Sequence, residues 1–284
     1  MSAVLAVEQP LDWGPGRRIV YRTRGHFHGP ITRLMSPSDA GQLIKPFVFL
    51  DRFDMDPAQA RGFGFHPHSG IATITVMLEG RVSYEETSGT KGFIEAGGVE
   101  WMKAGGGVWH TGAPVGSARA RGFQLWIALP PQLEGSEPHA RYLGAADVAR
   151  IGPARVILGN YGGVASAVPA PANINYLVVE LRKGEHWRYQ RPPGHRVTWI
   201  APFDGKVATP AIVHGGELAV FEESDGALDF EAREDTRFVL GSAVEHPHDL
   251  VLGMYSVHTS QAALERGEAQ INRIGQQLNA AGRI

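Results

Sequence analysis

The sequence predicts an all-β chain of two β-barrels closed by one short C-terminal helix. Three observations carry that reading. Thirty-six Gly and nineteen Pro in 284 residues call for many turns, which suits numerous short strands better than long helices. Apolar residues fall in short runs or alternate with polar ones. Helical spacing is clear only near the end of the chain.

Taken in order, Ile71–Leu78, Val82–Glu86, Val99–Met102 and Phe123–Leu129 read as strands of the first half. Glu79-Gly80 reads as a tight turn between two of them. Tyr176–Leu181, Val197–Ile200, Leu218–Phe221, Arg237–Leu240 and Leu250–Val257 read as strands of the second half. Between them Pro130–Arg155 carries Pro, Gly, Ser and charge with little periodicity, so we expect a boundary near residue 140, with domains 1–140 and 141–284. After Thr259, a candidate N-cap, Gln261–Asn279 places Leu264, Ile271, Ile274 and Leu278 near helical spacing. Gly267 and Gly275 weaken that helix on propensity alone.

Composition narrows the function. A hydrophobic content of 43% and a charged content of 20% are those of an ordinary globular protein. The net charge of −2 advertises no polyanion-binding surface, so no nucleic acid partner is expected. There is no cysteine, which removes disulfides, thiolate catalysis and Cys-ligated zinc. The opening MSAVLAVEQPLDW has neither a basic start nor a long apolar run, and no stretch reaches about 18 apolar residues. The expectation is a cytoplasmic protein with no membrane partner.

Twelve histidines scatter easily, so spacing has to carry the chemistry. Three His-x-His pairs occur, at 26/28, 66/68 and 246/248. In an extended segment both members of such a pair face one side and can approach one ion. A stable site needs a third ligand. For His66 and His68 one is available: the chain meanders through several strands to Ala104-Gly105-Gly106-Gly107 and then His110. Barrel closure can lay those strands side by side, and the glycines allow a bend before the third ligand. His66, His68 and His110 are therefore the candidate metal ligands.

His26-Phe27-His28 precedes a Gly-Pro turn and lies beside Arg22 and Arg24, which repel a cation. Glu245-His246-Pro247-His248 has Asp249 adjacent and His214 or His258 as possible partners, but no glycine bend leading to a further His follows it, so it reads as a solvated loop. Trp101, Trp109, Phe123 and Trp126 gather around the third histidine. Most should fill the barrel core, with one or two walling a pocket for a flat aromatic ligand.

These motifs together resemble the pirin family of bicupins. The resemblance rests on PFVFLDRF at 46–53, FHPHSG at 65–70, LEG at 78–80, and EWMKAGGG at 100–107 with Trp109-His110. It spans about the first 130 residues, with a fainter echo in Gly253–Val257 and the terminal helix. It implies two cupin barrels, only the first bearing a metal. It also implies a single iron-like ion held by three histidines, at 66, 68 and 110 here, and by a Glu two residues beyond the last. That Glu is replaced by Gly112, and the alternative cupin position four residues after His68 is Ala72. Three neutral imidazoles leave the formal charge of a divalent site undiminished, making the ion a stronger Lewis acid but a weaker guest. Glu79, Glu85 and Glu100 are the nearby candidates to stand in.

The resemblance leaves three functions open. One is a metal-dependent dioxygenase acting on a flavonol such as quercetin or on a related enol-bearing aromatic. The second is a non-catalytic regulator that docks on a protein partner, its metal structural or redox-sensing. The third is a small-molecule binder without metal. Fe(II) is the expected ion, with Ni, Co, Cu, Zn and Mn as alternatives that a His-rich set also accepts.

Overall fold

Alternation at period 2 builds the part of the molecule that matters for the site. The computed structural model describes residues 16–60 and 62–284; the leader reading of the first thirteen residues lies outside them. In chain order the strands are β1 (Ile19–Thr23), β2 (His26–His28), β3 (Ile31–Met35), β4 (Phe47–Met55), β5 (Phe63–His68) and β6 (Ile71–Glu79). They continue as β7 (Arg81–Glu86), β8 (Lys91–Glu95), β9 (Val99–Lys103), β10 (Val108–Pro114), β11 (Ala120–Ala128) and β12 (His139–Leu143). A single helical turn, α1 (Ala40–Leu43), precedes β4, and the chain ends in α2 (Gln261–Ala280).

The first barrel is a seven-stranded sheet in the order β12-β9-β6-β11-β4-β3-β2, facing a four-stranded sheet in the order β5-β10-β7-β8. The second is built alike. Its larger sheet runs β1, Leu218–Phe221, Val197–Asp204, Thr236–Ala243, Ile174–Leu181, Ala154–Leu158 and Arg150–Ile151. The pairs between neighbouring long strands are antiparallel. The sequence reading of an all-β, two-barrel chain with a terminal helix holds.

The large sheet of the first barrel is covered on both faces. Ala72, Ile74, Val76, Leu78, Trp101, Phe123 and Leu125 join Trp199, Phe203, Val220 and Val239 in one buried cluster between the barrels. The alternate residues, among them Thr73, Thr75, Glu100, Gln124 and Asp51, turn into the first barrel. Two-sided burial explains why IATITVML reads as a continuous apolar run while polar atoms are hidden at every second place.

Two local expectations are corrected and a third is sharpened. Leu250–Val257 is no strand: it breaks into the two-residue ladder of Val251–Leu252 and Val257–His258 around an exposed turn. The turn folds over the first barrel, where Tyr255 offers its carbonyl to His68. Glu79-Gly80 is the expected tight turn between β6 and β7, and it is also a corner between sheets, because β6 pairs with β9 and β11 while β7 pairs with β8 and β10. Gly80 takes a φ of 71° there, a conformation that glycine reaches without strain. Finally Ser260 caps α2, its hydroxyl accepting from Ala263 N at 3.3 Å. Thr259 is engaged elsewhere, its backbone N and Oγ1 donating to the Glu134 carboxylate at 2.7 and 2.9 Å.

Candidate metal centre and cavity

The three predicted histidines meet through strand register. β10 lies antiparallel to β5 with His110 opposite His66 and Val108 opposite His68. Cross-strand neighbours on one face approach to within a few ångströms. The ring centroids are 4.3 Å apart for His66–His110, 5.0 Å for His68–His110 and 5.1 Å for His66–His68. One ring nitrogen from each lies within 4.8 Å of the others, and no other His or acidic cluster of this kind occurs among the described residues.

Hydrogen bonds fix which nitrogen faces inward. His66 Nδ1 donates to Gly64 O at 2.9 Å and His68 Nδ1 donates to Tyr255 O at 3.1 Å. Each ring then keeps an unprotonated Nε2, the tautomer a metal ligand requires. Nε2 of His68 and of His110 is buried with no hydrogen-bond partner. A buried orphan of this kind costs about 1–3 kcal/mol unless something binds it, so the donor set suits a divalent transition metal. Burial is the main reason the rings stay neutral. It lowers His66, takes His68 to about 3 with help from the neighbouring His66, and holds His110 well below the ordinary imidazole range.

The triad borders a cavity of about 590 Å³ between the two sheets, within the range of small-ligand sites. Trp126 forms a flat wall, stacked on Phe49 at 4.0 Å and edge-on to His68 at 4.8 Å. Ile31, Phe53, Met55, Val82 and Ile94 supply apolar surface elsewhere in the lining.

Facing the triad, the large sheet carries a polar row. Register aligns Tyr142 with Glu100, Glu100 with Thr75, Thr75 with Gln124, Gln124 with Asp51, and Asp51 with Arg33. All but Tyr142 line the cavity. Thr75 Oγ1 donates to Glu100 Oε2 at 2.6 Å. Arg33 grips Asp51 with two hydrogen bonds of 2.7 and 3.0 Å and lies 4.1 Å over the Phe49 ring. Burial raises the carboxyl of Asp51 against the pull of Arg33. Burial also pushes Glu100 up to about 7, the nearby Glu86 adding to the rise while the Thr75 hydrogen bond opposes it.

The remaining sequence candidates sort as follows. Gly112 borders the cavity, and a Cβ added there would meet only Ser83 O, at 3.1 Å. Glu79 is bound by Arg121 at 3.0 Å and Arg237 at 2.5 Å, and Glu85 by Arg283. Neither lines the cavity. Glu100 does, but outside the cluster of ligand atoms. Trp101 and Phe123 are fully buried core, and Trp109 donates to Ile271 O of α2 at 2.7 Å. Only Trp126 of the four walls the cavity.

His26 and His28 sit on an exposed edge strand. His246 and His248 lie in a loop, but the expectation of full solvation fails for His246, which is 6% exposed. Its backbone N donates to Lys45 O, and Lys45 Nζ donates to His248 O. Burial, with the charges of His248 and Lys45, lowers His246 to about 4. Sequence reasoning missed Arg33, Asp51, Thr75, Gln124, Met254 and Tyr255 in the cavity wall. Their polar or distant positions carry no local signal, and only the register assembles them.

Comparison with known proteins agrees with this picture. The pirin family profile matches residues 29–127. A Caulobacter vibrioides "Pirin-like protein" is 34% identical over 221 residues, covering 74% of this chain and 79% of that one. A Pseudomonas aeruginosa protein named "Putative quercetin 2,3-dioxygenase" is 30% identical over 235 residues, covering 77% of this chain and 82% of that one. Among solved structures, the quercetin 2,3-dioxygenase from Acinetobacter baumannii superposes with a TM-score of 0.83 at 24% identity, covering 91% of this chain and 97% of that one. A bacterial pirin from Escherichia coli in complex with nickel(II) gives 0.63 at 21%, covering 81% of this chain and 98% of that one.

Proposed function

This chain belongs to the pirin family, and from that premise we propose that it is a metal-dependent dioxygenase acting on a flavonol such as quercetin or on a related enol-bearing aromatic. The observation that carries the reading is the pair of unpartnered Nε2 atoms on His68 and His110, set beside a cavity with a flat aromatic wall. The names of the relatives and of the superposed dioxygenase point to the same substrate class.

In this reading His66, His68 and His110 hold one divalent ion, Fe(II) being the expected one. When bound, it supplies the Lewis acidity and redox chemistry that a dioxygenation needs. The protein does the rest. Trp126 and Phe49 present a stacked aromatic surface that orients a flat substrate. The polar row offers donors and acceptors to its hydroxyl and carbonyl groups. The barrel walls and Tyr255 border the cavity, and a bound flat substrate displaces water from it, which strengthens the electrostatic interactions at its reacting edge.

The test is elemental analysis of tag-free protein together with oxygen uptake on quercetin. We expect near-stoichiometric metal and turnover, both lost in His66→Ala. Turnover that survives thorough chelation would sink the reading. A metal-replete protein that consumes no oxygen with flavonols would point instead to the regulator that docks on a protein partner.

A further inference from the structure

With glycine at position 112, no carboxylate joins the three histidines in the cluster of ligand atoms. We propose that Glu100 takes the proton of an enol substrate, acting as the catalytic base from the sheet that faces the triad; this rests on the dioxygenase reading above. In the step the enol O–H bond breaks, its electron pair stays on the substrate oxygen, and the proton passes to the Glu100 carboxylate. The resulting enolate is then held between the two sheets.

The geometry selects this residue from the acids nearby. Glu100 is 4% exposed and lines the cavity. Thr75 Oγ1 fixes the orientation of its carboxylate at 2.6 Å. Asp51 also lines the cavity, but Arg33 already neutralises it with two hydrogen bonds. Glu86 is buried opposite His110 on β7, yet it does not reach the cavity. Glu79 and Glu85 are committed to arginines outside it. Gly112, with no side chain, leaves the space beside the third histidine to substrate.

The surroundings tune the base. Facing Glu100 are Tyr142 from β12, Glu86 and Tyr84 from β7, and, farther along its row, Asp51 with Arg33. Burial and the Glu86 charge raise the carboxyl to about 7, where a general base works best near neutral pH.

The experiment uses 3-hydroxyflavone, which carries a single enol, and reads two signals. In metal-depleted protein the absorption band of the bound enolate should be present at neutral pH. Glu100→Gln should reduce it roughly tenfold, the effect of about one pKa unit. In metal-replete protein kcat/KM should fall on the acid side with a midpoint near 7. Glu100→Gln should abolish that limb and lower kcat roughly 10²-fold, with metal content unchanged. Two further variants move the limb in opposite directions: Glu86→Gln to lower pH by removing a like charge, and Thr75→Val to higher pH by removing a hydrogen bond to the carboxylate.

An unchanged acid limb and enolate band in Glu100→Gln overturn the proposal. If the replete wild type takes up no oxygen, the dioxygenase reading falls, and the enolate band alone decides for or against Glu100. A protein that binds no enol overturns both.

Discussion

At the scale of single residues, position 112 sets the character of the centre. A site of three neutral imidazoles holds a divalent ion less firmly than one that includes a carboxylate. The backbone at Gly112 is not in the left-handed region, and a Cβ there meets one carbonyl oxygen at 3.1 Å. A glutamate is therefore tolerable with a shift of a few tenths of an ångström. Gly112→Glu should bind Fe(II) or Ni(II) more tightly, by roughly tenfold or more, as metal-site partners typically tune affinity 10–100-fold. Competition with a calibrated chelator measures it, and equal affinity would show that the carboxylate does not reach the ion.

At the scale of elements, α2 does more than close a barrel end. Gly267 lies against His258 and Ser69, where an added Cβ would sit 2.5 Å from both His258 Nε2 and Ser69 Oγ. Those two groups are joined at 3.0 Å, and Ser69 also donates to Ser256 Oγ at 2.8 Å. Ser69 directly follows His68, so buried polar contacts tie the 253–256 turn and His258 to the strand that carries two of the candidate ligands, and the helix packs on them at Gly267. Gly275 makes similar room for the Trp109 ring, 2.6 Å from its added Cβ. The glycines that weaken the helix on propensity are the ones that let it dock. Gly267→Ala should cost about 1–3 kcal/mol through overpacking, read as a lower denaturation midpoint. It should also loosen the ion, read as faster metal loss to a chelator.

At the scale of the whole molecule, the two barrels share one buried cluster. Trp199 of the second barrel meets Phe47 of the first edge-on at 5.4 Å, and Phe123 of the first meets Phe203 of the second at 5.4 Å. Above them Arg121 and Arg237 bridge Glu79 and Asp204 across the seam. Such an interface couples the barrels energetically. Trp199→Ala should therefore cost about 3–5 kcal/mol and lower the stability of both barrels in one transition. Denaturant unfolding followed at tryptophans of either barrel checks this; two separate transitions would refute it.

The sequence by itself determined the strand content, the terminal helix and the three histidines. Each of these is written in local periodicity or in a His-x-His spacing that strand geometry converts directly into shared direction. It also places Gly112 where the family resemblance implies a glutamate. Only the tertiary structure decided what surrounds the triad. Glu100, Thr75, Gln124, Asp51 and Arg33 belong to five different strands, and each looks like an ordinary polar interruption of its own run. Cross-strand register turns them into one row, and sheet-on-sheet closure aims that row at the histidines. The 253–256 turn carries the apolar pattern of a strand, but what holds it is contact with Ser69 and His68, far away in the chain. Local pattern fixes direction and periodicity; which distant side chains meet across a cavity is fixed by closure, which no single segment encodes.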